Sequence, residues 1–124
     1  MTEAELQREI MKAVTAAGGR VFRNNTGQGW VGEQTTRGPI EGPIFGGRII
    51  TLRHPRPLHA GLCVGSSDLI GWYRGRFLAI EVKSRRGIVT EEQRNFLDEV
   101  NGNGGIGIIA RSVDDVLDAL ANSL

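Results

Sequence analysis

The order of local patterns along this 124-residue chain predicts an α/β fold, a central mixed β-sheet flanked by helices. Three observations carry that expectation. Helical periodicities open and close the chain. A pair of strand patterns is joined at a tight turn, and a further helix stands between that pair and one short apolar run.

Residues 2–17 read as a helix, with Leu6, Ile10, Met11, Val14 and Ala17 at helical spacing and Gly18-Gly19 as the stop. Thr2 stands at the N-cap and Glu5 three positions on, so each side chain can satisfy a backbone donor of the first turn. Val21–Arg23 reads as a short strand. From Asn24 to about Gly61 the chain is rich in Gly, Pro, Thr and Arg, and the one strand expected inside it is Arg48–Leu52. Compact domains rarely keep so long an irregular connection unless it binds something. The chain is therefore read as a single domain, 1–124, with an insertion at about 31–60. Two readings of the insertion stay open, a substrate-facing segment and a passive β-hairpin excursion.

Asp68–Tyr73 and Arg76–Lys83 read as two strands turning at Arg74-Gly75. Thr90–Val100 reads as a helix with Thr90 as cap, Gln93 at the reciprocal capping-box position and a stop at 101–105. Ile106–Ala110 suits a buried strand. Ser112 then caps a last helix through Leu120, with Val113, Val116, Leu117 and Leu120 inward.

With 40% hydrophobic and 23% charged residues, the composition fits one globular domain. No apolar run is long enough for a membrane span and the N-terminus lacks a signal-peptide pattern, so a cytoplasmic protein is expected, in a host-cell cytoplasm if the chain is phage-encoded. Cys63, the single cysteine, cannot form an intrachain disulfide and reads as an inert core residue rather than a nucleophile. The net charge of +1 says little about partners, but its distribution says more. Arg48, Arg53, His54, Arg56 and His59 crowd one segment, Arg74 and Arg76 flank the turn, and Lys83, Arg85 and Arg86 close a strand. These groups suit a phosphate-binding surface or an ordinary solvated one.

Counting outward from the turn sets Tyr73 against Arg76, Trp72 against Phe77, Ile70 against Ala79 and Asp68 against Glu81. Two carboxylates facing each other across strands repel unless a cation compensates them. Lys83, two residues beyond Glu81, shares its face. Oxygen ligands without sulfur or clustered histidine favour Mg²⁺ or Mn²⁺, which would neutralise phosphate and activate a bound water, while Lys83 would hold that water or stabilise developing charge. The competing reading is structural, with Asp68 capping a turn and Glu81 in an ion pair at a sheet edge.

The stretches GSSDLIGW (65–72) and FLAIEVKSRRGIVTEEQRNFL (77–97), with EAELQREI (3–10) and RNNTG (23–27), resemble the VRR-NUC family of the PD-(D/E)XK nuclease superfamily. Asp68 matches the first acid and Glu81-Val82-Lys83 the E-x-K of its motif. The resemblance implies a restriction-endonuclease-like fold and a Mg²⁺- or Mn²⁺-dependent, structure-selective DNA endonuclease. It further implies a homodimer acting on Holliday junctions or other branched DNA. By the same resemblance Glu3 and the Val82 backbone carbonyl join Asp68 and Glu81 as metal ligands, and Gln93 supports the site. Glu3 alternatively only complements its helix dipole, and Gln93 only closes its capping box.

Gly27, Gly29 and Gly32 fit the spacing of a dinucleotide fingerprint, but the following EQTTRGPIEGP cannot supply the required helix. His54 and His59, without neighbouring acids, make a weak metal site. Two functions follow: a DNA phosphodiesterase, or a non-catalytic nucleic-acid binding module on the same fold. The complete set of Asp68, Glu81 and Lys83 favours the enzyme.

Overall fold

The first helix starts at a true capping box: the Thr2 hydroxyl accepts from the Glu5 N–H at 3.1 Å and the Glu5 carboxylate accepts from the Thr2 N–H at 3.2 Å. In the computed structural model, which describes residues 1–25, 27–34, 40–41, 48–49 and 52–124, this helix is α1 (Glu3–Ala16). The strands β1 (Arg20–Arg23), β2 (Gly27–Gln34), β3 (Ile40–Glu41), β4 (Arg48–Ile49), β5 (Leu52–Ala60), β6 (Leu69–Tyr73) and β7 (Arg76–Val82) follow. Helix α2 (Glu91–Gly102), strand β8 (Ile106–Ala110) and helix α3 (Val113–Asn122) complete the chain. Among the described residues no helix is long and apolar enough to cross a membrane.

One unit comprises Met1–Thr26 and Gly61–Leu124. Its four-stranded sheet has the order β1-β6-β7-β8, antiparallel except for the parallel pair β7 and β8. A parallel neighbour requires a crossover, and α2 supplies it. The mixed sheet with flanking helices is the one the sequence predicts, and the hairpin register Tyr73–Arg76, Trp72–Phe77 and Ile70–Ala79 is reproduced pair for pair. Arg74 and Gly75 both adopt positive φ, as a two-residue hairpin turn demands. Gly71 is obligatory for the β1–β6 approach, since a Cβ there would lie 1.8 Å from the Arg20 carbonyl oxygen.

Leu6, Ile10 and Val14 of α1 and Val116 and Leu120 of α3 pack on one face of the sheet, against Leu69, Leu78, Ile80, Val82, Ile106 and Ile108. The opposite face takes Leu97 and Val100 of α2 on Ala79. Strand β7 is therefore buried on both faces from Leu78 to Val82, and Glu81 falls inside that run. Ala17, read as the last helical position, is the C-cap, and Leu117, read as inward, is corrected. Ala17 is exposed because Gly18, at φ 97°, turns the chain away one residue later, and Leu117, at the flank of its helical stripe, stays half exposed. Cys63 is exposed too, not a core residue.

The second unit is Gly27–Ala60. The expectation of a single strand at 48–52 is corrected here: β2 pairs antiparallel with β5 along most of their length, with an irregularity between Val31 and Glu33, and β3 pairs with β4. Of the expected strand, Arg48–Ile49 forms β4, Leu52 opens β5, and 50–51 lie outside the described residues. Pro55 and Pro57 hid β5 from the sequence. In a two-stranded ribbon every strand has an open edge, and a proline there forfeits no ladder bond. Gly27, Gly29 and Gly32 all lie on β2, with β5 as partner strand, and among the described residues the next element is the strand β3.

Candidate active site

Asp68 sits one residue before β6, whose first ladder pair is Leu69 with Ile80, so it arrives beside Glu81 as the count from the turn requires. Its Oδ2 accepts from the Val82 N–H at 2.9 Å, taking the place of a backbone acceptor where the ladder ends. Because the N–H and C=O of one strand residue point to the same side, the Val82 carbonyl faces the Asp68 side as well.

Glu81 is 2% exposed. Its Oε1 accepts from Gln93 Nε2 at 2.9 Å and lies 3.6 Å from Lys83 Nζ, while its buried Oε2 has no hydrogen-bond partner. Burial first, and then the neighbouring Asp68 carboxylate, push the Glu81 carboxyl from 4.5 up to about 7, against the opposing pull of Lys83. An orphaned buried carboxylate oxygen is costly unless something satisfies it.

Gln93 makes both of the contacts that the sequence offered as alternatives. Its Oε1 accepts from the Thr90 N–H at 2.9 Å, closing the capping box of α2, and its Nε2 donates to Glu81. Glu3 is placed differently from the carboxylate pair: its Oε1 accepts from the Ser84 N–H at 2.9 Å, next to Lys83. Among the described residues no three of His, Cys, Asp and Glu gather into one group that would hold a metal.

Two positioning residues carried no assigned role in the sequence. Asn24 is buried and ties down the turn that delivers Asp68. Its N–H donates to the Asp68 carbonyl at 2.8 Å, its Nδ2 to Ser66 Oγ at 2.8 Å and the Ser67 carbonyl at 3.0 Å, and its Oδ1 accepts from the Leu62 N–H at 3.3 Å. It belongs to the RNNTG stretch, which was the available signal. Arg111 donates to the carbonyls of Ser84 at 2.7 Å and Gly87 at 2.8 Å, clamping the loop that follows Lys83. No spacing marks it, because the contact spans 27 residues of chain. The same geometry removes Arg76 from the basic surface, since its guanidinium donates to the carbonyls of Gly104, Gly105 and Ser123. Arg85 and Arg86 remain exposed beside the site.

The donor set suits a hard divalent cation. Glu81 Oε2, the second Asp68 oxygen and the Val82 carbonyl are all oxygen donors, and two carboxylates are what Mg²⁺ commonly takes from a protein while keeping waters for a substrate phosphate.

Compared with protein families, residues 56–114 match the VRR-NUC domain. That span runs from within β5 to the start of α3 and contains Asp68, Glu81, Lys83 and Gln93, leaving Glu3 and Asn24 outside. No curated protein matches the chain.

Proposed function

We propose, from the membership of residues 56–114 in the VRR-NUC family of PD-(D/E)XK-type nuclease domains, that this chain is a Mg²⁺- or Mn²⁺-dependent DNA endonuclease selective for branched DNA. A nuclease-type role in DNA processing and a DNA substrate come with the family, which generally uses divalent metals. The observation that carries the finer reading is the Asp68, Glu81 and Lys83 cluster, in which a buried carboxylate oxygen has no partner within the protein.

Asp68, Glu81 and the Val82 carbonyl would hold the cation, which when bound neutralises phosphate charge and lowers the pKa of a water. Lys83 is held by Glu81 and supplies a fixed positive charge for the attacking water or for the phosphate oxygens as negative charge builds on them. Gln93 fixes the Glu81 carboxylate so that Oε1 faces Lys83 and Oε2 stays free for the cation. Glu3 and Arg111 steady the loop behind Lys83, a supporting role for Glu3 rather than direct ligation. Water adds to phosphorus, the bond to the departing sugar oxygen breaks, and a phosphate monoester and a free hydroxyl result. A homodimer would present two such sites to the two strands of a junction.

Cleavage of a labelled four-way junction beside a matched linear duplex tests this, with Mg²⁺, Mn²⁺ or chelator and Glu81→Gln as control. Metal-dependent cutting that prefers the junction and vanishes in the variant is expected. Equal cutting of both DNAs would remove the branch selectivity. Tight binding without cutting would favour the non-catalytic module.

A further inference from the structure

Strand pairing puts Arg20 and Phe22 of β1, Ile70 and Trp72 of β6, and Phe77, Ala79 and Glu81 of β7 on one face of the sheet. Helix α2 covers that face over β7 and β8, through Leu97 and Val100 on Ala79 and Ile109. Toward β1 the rings stay open to solvent: Phe22 is 46%, Trp72 54% and Phe77 43% exposed. Phe22 and Trp72 meet at 5.7 Å between ring centroids, tilted by 57°, and Trp72 is the cross-strand partner of Phe77. The Arg20 guanidinium lies 5.5 Å from the centre of the Phe22 ring. Three large aromatics left exposed side by side on one sheet face mark a binding surface rather than scattered apolar residues.

We propose that this platform stacks unpaired bases of the DNA strand that enters the active site. Aromatic faces bind bases of any sequence, and an accompanying arginine adds a cation over the stack. Two features favour bases over a second copy of the chain. Arg20 sits on the platform and exposed Arg74 borders it at the β6–β7 turn; phosphates match these cations, whereas a second copy laid face to face would set like charges against them. The platform also shares its face with Glu81, four residues along β7 from Phe77, or roughly 13 Å at strand rise, which is a few nucleotides. Paired bases have both faces covered within the duplex, so the ligand is the unpaired strand at a branch, fork or flap. The proposal deepens the nuclease reading and rests on it for which strand is bound.

The test is binding, measured by fluorescence anisotropy in the non-cleaving Glu81→Gln protein. A fork with two single-stranded arms, carrying 2-aminopurine in one arm, is compared with a blunt duplex of equal length. Trp72→Ala should weaken fork binding on the order of tenfold or more and lose the 2-aminopurine quench, with little change on the duplex, while Trp72→Phe keeps most of both. Equal loss on both DNAs, or no loss on either, overturns the proposal. So does a shift from dimer to monomer in Trp72→Ala by analytical ultracentrifugation with fork binding unchanged, because the face would then join two copies. A parent protein that never cleaves yet shows the fork-selective loss defeats the nuclease reading and supports the platform.

Discussion

Gln93 Nε2 donates to Glu81 Oε1 at 2.9 Å while the other end of the same amide accepts from the Thr90 N–H at 2.9 Å, so the cap of α2 and the orientation of the buried carboxylate are one hydrogen-bonded unit. A helix start is thereby coupled to the active site. Gln93→Ala should lose about 1 kcal/mol of stability through the cap and, separately, about 10- to 100-fold in cleavage. Thr90→Ala removes the cap hydroxyl alone and should match the stability loss while keeping most of the activity. Thermal melts beside junction cleavage separate the two effects, and equally deep activity losses would show that the Glu81 contact contributes nothing.

The raised Glu81 carboxyl makes metal-free stability depend on pH. The unfolded chain releases this proton near 4.5 and the folded chain near 7, so between those values the folded state binds more protons. The contribution is fully present below about pH 4.5 and is lost as pH rises through about 7, amounting to about 3 kcal/mol. Urea unfolding with chelator should show this fall in the parent and a flatter profile in Glu81→Gln. Millimolar Mg²⁺ should restore the parent at pH 8, since a ligand that binds only the folded state stabilises it. Parallel profiles for parent and variant would mean Glu81 is not the titrating group.

Among the described residues, the Asn24 carboxamide bonds the turn that carries Asp68, through the Ser66 hydroxyl, the Ser67 carbonyl and the Leu62 N–H. Asn24→Ala should cost about 2 kcal/mol in urea unfolding, from the lost bonds to the Ser66 hydroxyl, the Ser67 carbonyl and the Leu62 N–H. Cleavage assayed well below the melting temperature should fall as well, because Asp68 loses its anchor. Full activity in a destabilised variant would restrict Asn24 to folding.

Strand register and site geometry were legible where the side chains alternate strictly around one tight turn. The pairing from Tyr73–Arg76 to Ile70–Ala79 follows from Arg74-Gly75 alone, and it carries Asp68 to Glu81. The capping boxes were legible for the same reason, since their partners lie three residues apart. Contacts closed over long stretches of chain were not. Ser84 meets Glu3 across 81 residues and Asn24 meets Ser66 across 42, and no local pattern encodes either. Between Gly27 and Ala60 the ribbon was hidden because proline and glycine argue against strands in general, while a two-stranded ribbon accepts them at its open edges.

That ribbon yields the last prediction. Gly27 and Ala60 are ladder partners, so the two ends of the unit leave side by side, and among the described residues those of the main core lie outside 27–60. Replacing 28–59 with a short Asn-Gly turn should leave a cooperatively folded protein that still carries Asp68, Glu81 and Lys83. Arg53 and Arg56 are exposed on β5, and a basic two-stranded ribbon is a shape the major groove admits. If the ribbon grips DNA, each lost phosphate contact lowers the slope of log affinity against log salt by about 0.9, so two such contacts lower it by nearly two. Affinity measured from low to physiological salt reads this directly. An unchanged slope with a folded core would make the ribbon a passive excursion from the fold.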